Sequence, residues 1–324
     1  ALLFNALNAE HMNELGANDK VLTVLPLFHV GGLNIQTLPA LYCGASVHLT
    51  AKFDPLETCA AINDFAPTLT TLVPAMLSAI LSLPAWRDVD VSKLRAIATG
   101  STDVPVGLIN AVHDRGVPVI QIYGATETGP VAVYQRISDA RTTVGSIGQA
   151  GLHTDIRLID TDGEIVDPGE AGEICVRGPH VAGGYWNREQ ETVEPWVDGW
   201  FHSGDVARAD NNGWLWFADR IKHVIISGGE NIYPAELERI LHETPHLKEA
   251  AVVGRADSKW GEVPVVVAVK ADDGCDEAAV MRLFDQRIAR YKQPHAVMFI
   301  DALPRTALGK VSIAALREQV AETN

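Results

Sequence analysis

LRAIATGSTDVPVGLINAVHDRGVPVIQIYG, Leu94 to Gly124, decides the fold. It opens with an apolar run that ends in glycine (LRAIATG) and continues through a helical stretch (VPVGLINAVHDR). It closes with a second apolar run ending in glycine (VPVIQIYG). Strand, helix and strand in that order predict two parallel neighbours joined by a crossover helix. Outward to the N-terminal side the alternation repeats: VLTVLPL, ASVHLT and TLTTLV read as strands, FDPLETCAAINDF and PAMLSAILS as helices. The first of these helices has a marked start, with Asp54 as N-cap, Pro55 in the first position and Glu57 in the third. A parallel sheet covered by helices is the expected core, and such sheets bind ligands beyond the carboxyl ends of their strands. Gly100 and Gly124 stand at two such ends.

From about Val144 the pattern changes. DIRLID, EICVRG, WLWFADR and HVIISG are short strands separated by Gly, Asp and Pro turns, as in an antiparallel or barrel-like subdomain. Helical periodicity returns in PAELERILHE, and EAAVVG, PVVVAVK, a helix from Asp276 to Arg290 and AVMFI complete a small α+β domain. The expected class is therefore α/β: a parallel sheet flanked by helices over 1–143, a small β-rich subdomain over 144–219, and a C-terminal α+β domain over 223–324. The boundary falls near DRIK, Asp219 to Lys222.

The 324 residues suffice for two domains, and 47% hydrophobic with 21% charged residues is ordinary for a globular protein with a sizeable core. A formal net charge of -15 argues against nucleic acid as the main partner, because phosphate backbones require a basic face. Cys43, Cys59, Cys175 and Cys275 are scattered with no zinc spacing, which suggests thiols in a reducing, cytoplasmic compartment. His242 and His246 share a helical spacing, but Pro245 interrupts it and no third ligand is nearby. No apolar stretch reaches membrane-spanning length without interruption. The opening ALLFNALNAEHMNELG lacks an initiator Met and a basic signal start, and reads as a helix entered in mid-protein.

Four motifs in order carry a resemblance: QIYGATETG (Gln121–Gly129), GWFHSGD (Gly199–Asp205), ADRIKHVIISGGENIYPAELE (Ala218–Glu238) and PRTALGK (Pro304–Lys310). Together they resemble the adenylate-forming superfamily of acyl-CoA synthetases, peptide-synthetase adenylation domains and beetle luciferases, over essentially the whole chain. The resemblance implies a reaction in two halves. A carboxylate attacks the α-phosphate of ATP to give an acyl-adenylate and pyrophosphate, and the thiol of CoA then displaces AMP.

The resemblance also implies roles for residues. Tyr123 would offer a flat face to adenine, Gly124 would border the nucleotide, the Thr126 hydroxyl would reach the α-phosphate, and Glu127 would be a hard oxygen ligand for Mg²⁺. Gly100, Ser101 and Thr102 occupy the turn that borders adenine in the family. Asp205 matches the carboxylate that accepts both ribose hydroxyls, and Arg220 the arginine on the ribose and phosphate side. Residues 220–222 form the hinge, with Lys222 at the position about which the C-terminal domain rotates between half-reactions. After one rotation Lys310 would bring its ammonium to the carboxylate and α-phosphate, where charge builds in the transition state. After the other, Gly228 and Gly229 would line the pantetheine passage, with Trp260, Tyr291 and Lys292 at the CoA nucleotide.

PLFHVGG resembles the segment bordering the acyl pocket, with His29, Val30 and Gly31; Thr71, Val73 and Leu77 are further pocket candidates. None of the pocket segments contains Arg or Lys. A second substrate carboxylate would be unpaired there at a cost of several kcal/mol, so a monocarboxylic acid with an uncharged aliphatic or aromatic tail fits. The family's Ser/Thr/Gly-rich phosphate loop does not occur in these residues, and neither does GxxxxGK(S/T) or GxGxxG. The resemblance thus implies that an N-terminal portion carrying that loop is missing. ATP, Mg²⁺ and CoA are the expected cofactor and co-substrates. Loading of a carrier protein and a non-catalytic nucleotide-binding relic are the alternatives.

Overall fold

The computed structural model of the chain describes all residues except 102–103, 273, 306–309 and 323–324. Thr102, expected beside adenine, lies outside the described residues. The chain divides into two compact units, Ala1–Phe217 and Ala218–Asn324.

The first unit is built on strands β1 (Lys20–Thr23), β2 (Ser46–Leu49), β3 (Leu69–Thr71), β4 (Ala96–Gly100), β5 (Val119–Ala125), β6 (Gly129–Tyr134) and β7 (Gln149–Ala150). Their spatial order is β2-β1-β3-β4-β5-β6-β7. The first five run parallel, and β6 and β7 are antiparallel additions to that edge. The inner strands β1, β3 and β4 are buried on both faces, whereas the edge strand β2 is largely exposed. Alternation decides which core each side chain enters. Leu22, Ile97 and Val119 face one cluster, where helices Pro55–Phe65, Pro74–Leu81 and Val106–His113 contribute Ile62, Leu77, Ile80 and Ile109. Their sequence neighbours Val21, Ala98 and Ile120 face the other, with Ala9 and Met12 of helix Leu2–Asn13. Each such Leu or Ile buried contributes about 1.5–3 kcal/mol.

The marked helix start is realised: Asp54 accepts the Leu56 and Glu57 amides at 2.9 and 3.0 Å. VLTVLPL is a strand only to Thr23, because its partners end there, Leu49 opposite Thr23 and Thr70 opposite Leu22.

The β-rich part contains β8 (Asp155–Ile159), β9 (Ala171–Arg177), β10 (Trp196–Val197), β11 (Trp200–Ala209) and β12 (Leu215–Arg220). They form an antiparallel sheet of order β10-β11-β9-β8 with β12 on β11.

The second unit is a sheet of β13 (Ile225–Ser227), β14 (Glu230–Ile232), β15 (Leu247–Asp257), β16 (Gly261–Lys270) and β17 (Ala296–Phe299). It has apolar clusters of its own, one around Leu237, Val252, Val266 and Phe284, the other around Val253, Val267, Leu316 and Val320. The helix expected over 276–290 starts at its Asp276 cap but ends at Arg282. Beyond it the amides of Leu283, Phe284 and Asp285 each bond three residues back, and Gln286 sits at φ 60, so the chain tightens and turns. Among the described residues no helix is long and apolar enough to cross a membrane.

Candidate active site

In the first unit the candidate residues meet at the carboxyl end of β5. A three-residue turn, Thr126–Glu127–Thr128, joins β5 to β6, closed by the Ala125–Gly129 pair with Gly129 at φ 68. The Thr128 hydroxyl accepts the Ala125 amide at 2.8 Å and fixes the turn from inside, which leaves Thr126 exposed and Glu127 half-buried. Two glycines permit close approach here. A Cβ on Gly124 would lie 2.4 Å from the Gly129 carbonyl oxygen, and one on Gly100 2.3 Å from that of Ile122. Ser101, after the end of β4, is exposed at φ 78.

Asp205 reaches the same region by way of a bulge. The pairing of β11 with β9 shifts register between His202 and Val206, and Gly204 inside the shift takes φ 69. Glu173 braces the bulge from β9: one carboxylate oxygen accepts the Gly204 amide at 2.8 Å, the other contacts His202 Nδ1 at 3.0 Å. Asp205, 7% exposed, accepts the Tyr123 hydroxyl at 2.9 Å. An aromatic face and a buried acceptor carboxylate are thereby joined, a combination suited to a base with its ribose.

Sequence reasoning missed three residues that support this arrangement. Thr128 belongs to QIYGATETG but was not singled out, although a Thr that closes a turn is a readable signal. His180 and Tyr185 lie in GPHVAGGYWN, which carries no local pattern. The His180 ring is buried between the Thr128 carbonyl and the Thr154 hydroxyl, and burial lowers its pKa. The Tyr185 hydroxyl donates to Glu127 at 2.6 Å. That bond, with burial and the carboxylate charge adding to it, pushes the phenol up to about 12.

Glu127, one oxygen of which accepts the Tyr185 hydroxyl, could offer a hard oxygen to a divalent ion at the turn. A single hard oxygen donor, with waters and phosphate oxygens completing the shell, is what Mg²⁺ takes. Glu173, Cys175 and His202 also bring donor atoms within 4.8 Å of one another, from two paired strands. Burial pushes the Cys175 thiol up to about 11, and the Arg157 guanidinium lies beside it. A protonated thiol next to a cation disfavours metal, and the group serves as the brace of the Asp205 bulge.

The acyl-pocket candidates separate. A narrow crevice beyond the ends of β1 and β3 is lined by Gly31 and Thr71, together with Gly32 and Gln36. His29 is exposed, and its Nδ1 accepts the Gly31 amide at 3.0 Å, which caps the helical turn Val30–Gly32. Val73 precedes helix Pro74–Leu81, and Leu77 on that helix is fully buried in the core cluster.

In the second unit Arg220 and Lys222 are exposed, Lys222 in the short turn Ile221–His223 that follows β12. Buried Asp219 accepts the Arg220 amide at 2.7 Å and the Ala235 amide at 2.8 Å, anchoring the start of helix Pro234–Leu241. Gly228 and Gly229, at φ 61 and 88, are the two turn residues of the β13–β14 hairpin. Trp260 packs against Gly228, where a Cβ would lie 2.9 Å from the indole. Tyr291 is exposed, whereas Lys292 is held by both oxygens of Glu236 at 2.9 and 2.6 Å. Lys310 is exposed beside the Arg305–Val311 bridge; the preceding Gly309 lies outside the described residues.

Comparison with known proteins gives matches over the whole chain. Residues 1–186 match the AMP-binding enzyme family and residues 236–310 the AMP-binding enzyme C-terminal domain. The chain is 52% identical over 322 residues to an indoleacetate–CoA ligase of Aromatoleum aromaticum, covering 99% of this chain and 63% of that protein. It is 42% identical to a feruloyl-CoA synthase of an Amycolatopsis species, covering 96% of this chain and 63% of the relative. Among solved structures it resembles the o-succinylbenzoate CoA synthetase of Bacillus subtilis in complex with its acyl-adenylate intermediate. The TM-score is 0.89 at 33% identity, covering 98% of this chain and 64% of that one. The chain thus spans just under two thirds of the length of the relatives it matches.

Proposed function

This chain belongs to the AMP-binding enzyme family, and on that premise we propose that it activates an aromatic monocarboxylic acid as its acyl-adenylate and transfers the acyl group to CoA. The observation that carries the proposal is the bond between Tyr123 and Asp205, which joins the adenine-facing ring to the ribose-accepting carboxylate at the end of the parallel sheet. The aromatic tail is supported by the indoleacetate and feruloyl names of the relatives.

Tyr123 stacks on adenine, Asp205 holds the ribose, and Thr126 donates its hydroxyl to the α-phosphate. Glu127 holds Mg²⁺, which when bound neutralises charge on the phosphates. Lys310 stabilises the negative charge that develops as carboxylate oxygen bonds to phosphorus. The C-terminal unit turns about Lys222 between the two half-reactions, and Gly228, Gly229 and Trp260 serve CoA. A reducing, cytoplasmic location is supported by four unpaired thiols, three of them buried.

The test is to incubate the protein with ATP, Mg²⁺, CoA and a panel of aryl and aliphatic acids. Mass spectrometry then follows acyl-CoA and AMP, with Lys310→Ala alongside. Acyl-CoA formed from aryl acids and lost in the variant supports the reading. A folded protein that neither binds AMP nor yields either product sinks it.

A further inference from the structure

Gln36 lies on a π-helical turn, Leu33–Thr37, between the short helical segments Val30–Gly32 and Leu38–Tyr42. It is 2% exposed, and neither its amide oxygen nor its amide nitrogen has a hydrogen-bond partner among the described residues. Thr71, buried at the end of β3, has an unpartnered hydroxyl in the same sense. Both line the crevice beyond the carboxyl ends of β1 and β3. Several neighbouring polar groups are satisfied: Thr37 donates to the Gly32 carbonyl at 2.6 Å and meets the Thr23 hydroxyl at 3.0 Å, and Thr70 donates to the Leu22 carbonyl at 2.8 Å. Asn34 Oδ1 on the same turn and Thr99 Oγ1 on β4 are also unpartnered among the described residues, but they do not line the crevice; Gln36, which lines it, leaves both of its amide atoms unpaired.

A buried amide with no partner destabilises a fold, and an apolar residue of similar size would be the better core choice. The crevice is narrow, and a ligand group that enters and widens it would complete the amide. No crevice residue is charged, which favours a neutral ligand group. The π turn fits the same reading, since such turns re-aim one residue out of the regular helical repeat. β4, ending at Gly100, separates β1 and β3 from β5 and its Thr126–Glu127 turn, so the crevice borders the candidate nucleotide site along one edge of the sheet.

We infer that Gln36, with Thr71 beside it, is a specificity-determining residue that reads an uncharged hydrogen-bonding group, such as a phenolic hydroxyl or a ring N–H, on the tail of the acid. This inference rests on the acid-activating function proposed above and names the substrate class more closely: aromatic acids with a polar ring substituent or a ring N–H are preferred to their apolar counterparts.

Non-hydrolysable acyl-sulfamoyl adenosines provide the probes in two near-isosteric pairs. The first is 4-hydroxycinnamoyl with cinnamoyl, the second indole-3-acetyl with 1-naphthaleneacetyl. Calorimetric titration into the wild-type chain is expected to show the polar member of at least one pair bound about tenfold tighter or more. Gln36→Leu, with Gln36→Met as an unbranched second variant, is expected to abolish that preference while leaving the apolar member within about threefold. The same variants are expected to melt a few degrees higher without ligand, because they remove the unpaired amide. Equal affinities within both pairs for the wild type overturn the inference and leave the proposed function standing. An equal loss for both members in the variants, with no gain in melting temperature, also overturns it, because Gln36 would then be structural. Failure of every probe and of AMP to bind the folded wild type overturns the inference and the proposed function together.

Discussion

Tyr123 and Asp205 are 82 residues apart in the chain and 2.9 Å apart at the hydroxyl–carboxylate contact. In the proposed function the two side chains act differently on a nucleotide, so their substitutions should separate. Tyr123→Phe keeps the ring and loses one hydrogen bond, and AMP binding is expected to weaken by about 1 kcal/mol, roughly fivefold. Asp205→Ala removes a charged acceptor and is expected to cost about 2 kcal/mol or more, roughly thirtyfold. Titration calorimetry with AMP decides, and equal losses in the two variants would mean that the pair acts only as a structural link. These two residues were legible because their motifs are local. Gln36 was not, because a buried, unsatisfied amide is indistinguishable in sequence from a surface one.

The glycines at the strand ends behave as elements of the sheet. A methyl on Gly100 or Gly124 would enter the space of the adjoining strand's carbonyl oxygen, and Gly100→Ala and Gly124→Ala are each expected to destabilise by about 1–3 kcal/mol. Gly107, in the helix between those strands, would carry a methyl with nothing within 4 Å of it, and Gly107→Ala is expected to stabilise by about 0.5–1 kcal/mol. Denaturant midpoints should therefore move in opposite directions for one substitution within one motif. Both strands and the intervening helix were readable, because apolar runs and helical periodicity are properties of adjacent residues. Strand β6 was overlooked because GPVAVY follows the turn at once and reads as its continuation. Helix Leu2–Asn13 was readable as a helix but not in its burial. Asn5, Asn8 and Asn13 are all buried, where composition suggests a solvated face, and Asn8 bonds the Val131 carbonyl and the Thr154 hydroxyl at 3.0 and 3.1 Å. Partners more than a hundred residues away leave no periodic trace.

Across the first unit, three histidines make hydrogen bonds that fix the fold, two of them between distant segments. The His11 ring meets the Tyr134 hydroxyl at 2.9 Å, His113 accepts the Val119 amide at 3.0 Å, and His180 links the Thr128 turn to Thr154 and through it to Asn8. Burial lowers the pKa of each, with Arg136 adding to the effect at His11 and Arg141 at His113. In the unfolded chain each returns to about 6.5. Below that pH the unfolded state takes up protons that the native state resists, so the stability of the neutral rings is fully present above about 6.5 and is lost as the pH falls toward their lowered folded values. At His180 the loss has a visible cause. With Nδ1–H donating to the Thr128 carbonyl, Nε2 must accept from the Thr154 hydroxyl, and protonation removes that acceptor. The melting temperature is therefore expected to be flat from pH 8 to 7 and to fall from 6.5 to 5, more steeply than in His113→Gln, whose amide oxygen can accept from Val119 without titrating. Because His180 holds the turn that carries Glu127, AMP affinity should decline over the same interval. A melting temperature that holds constant or rises from pH 7 to 5 would show that these rings do not govern the acid stability of the fold.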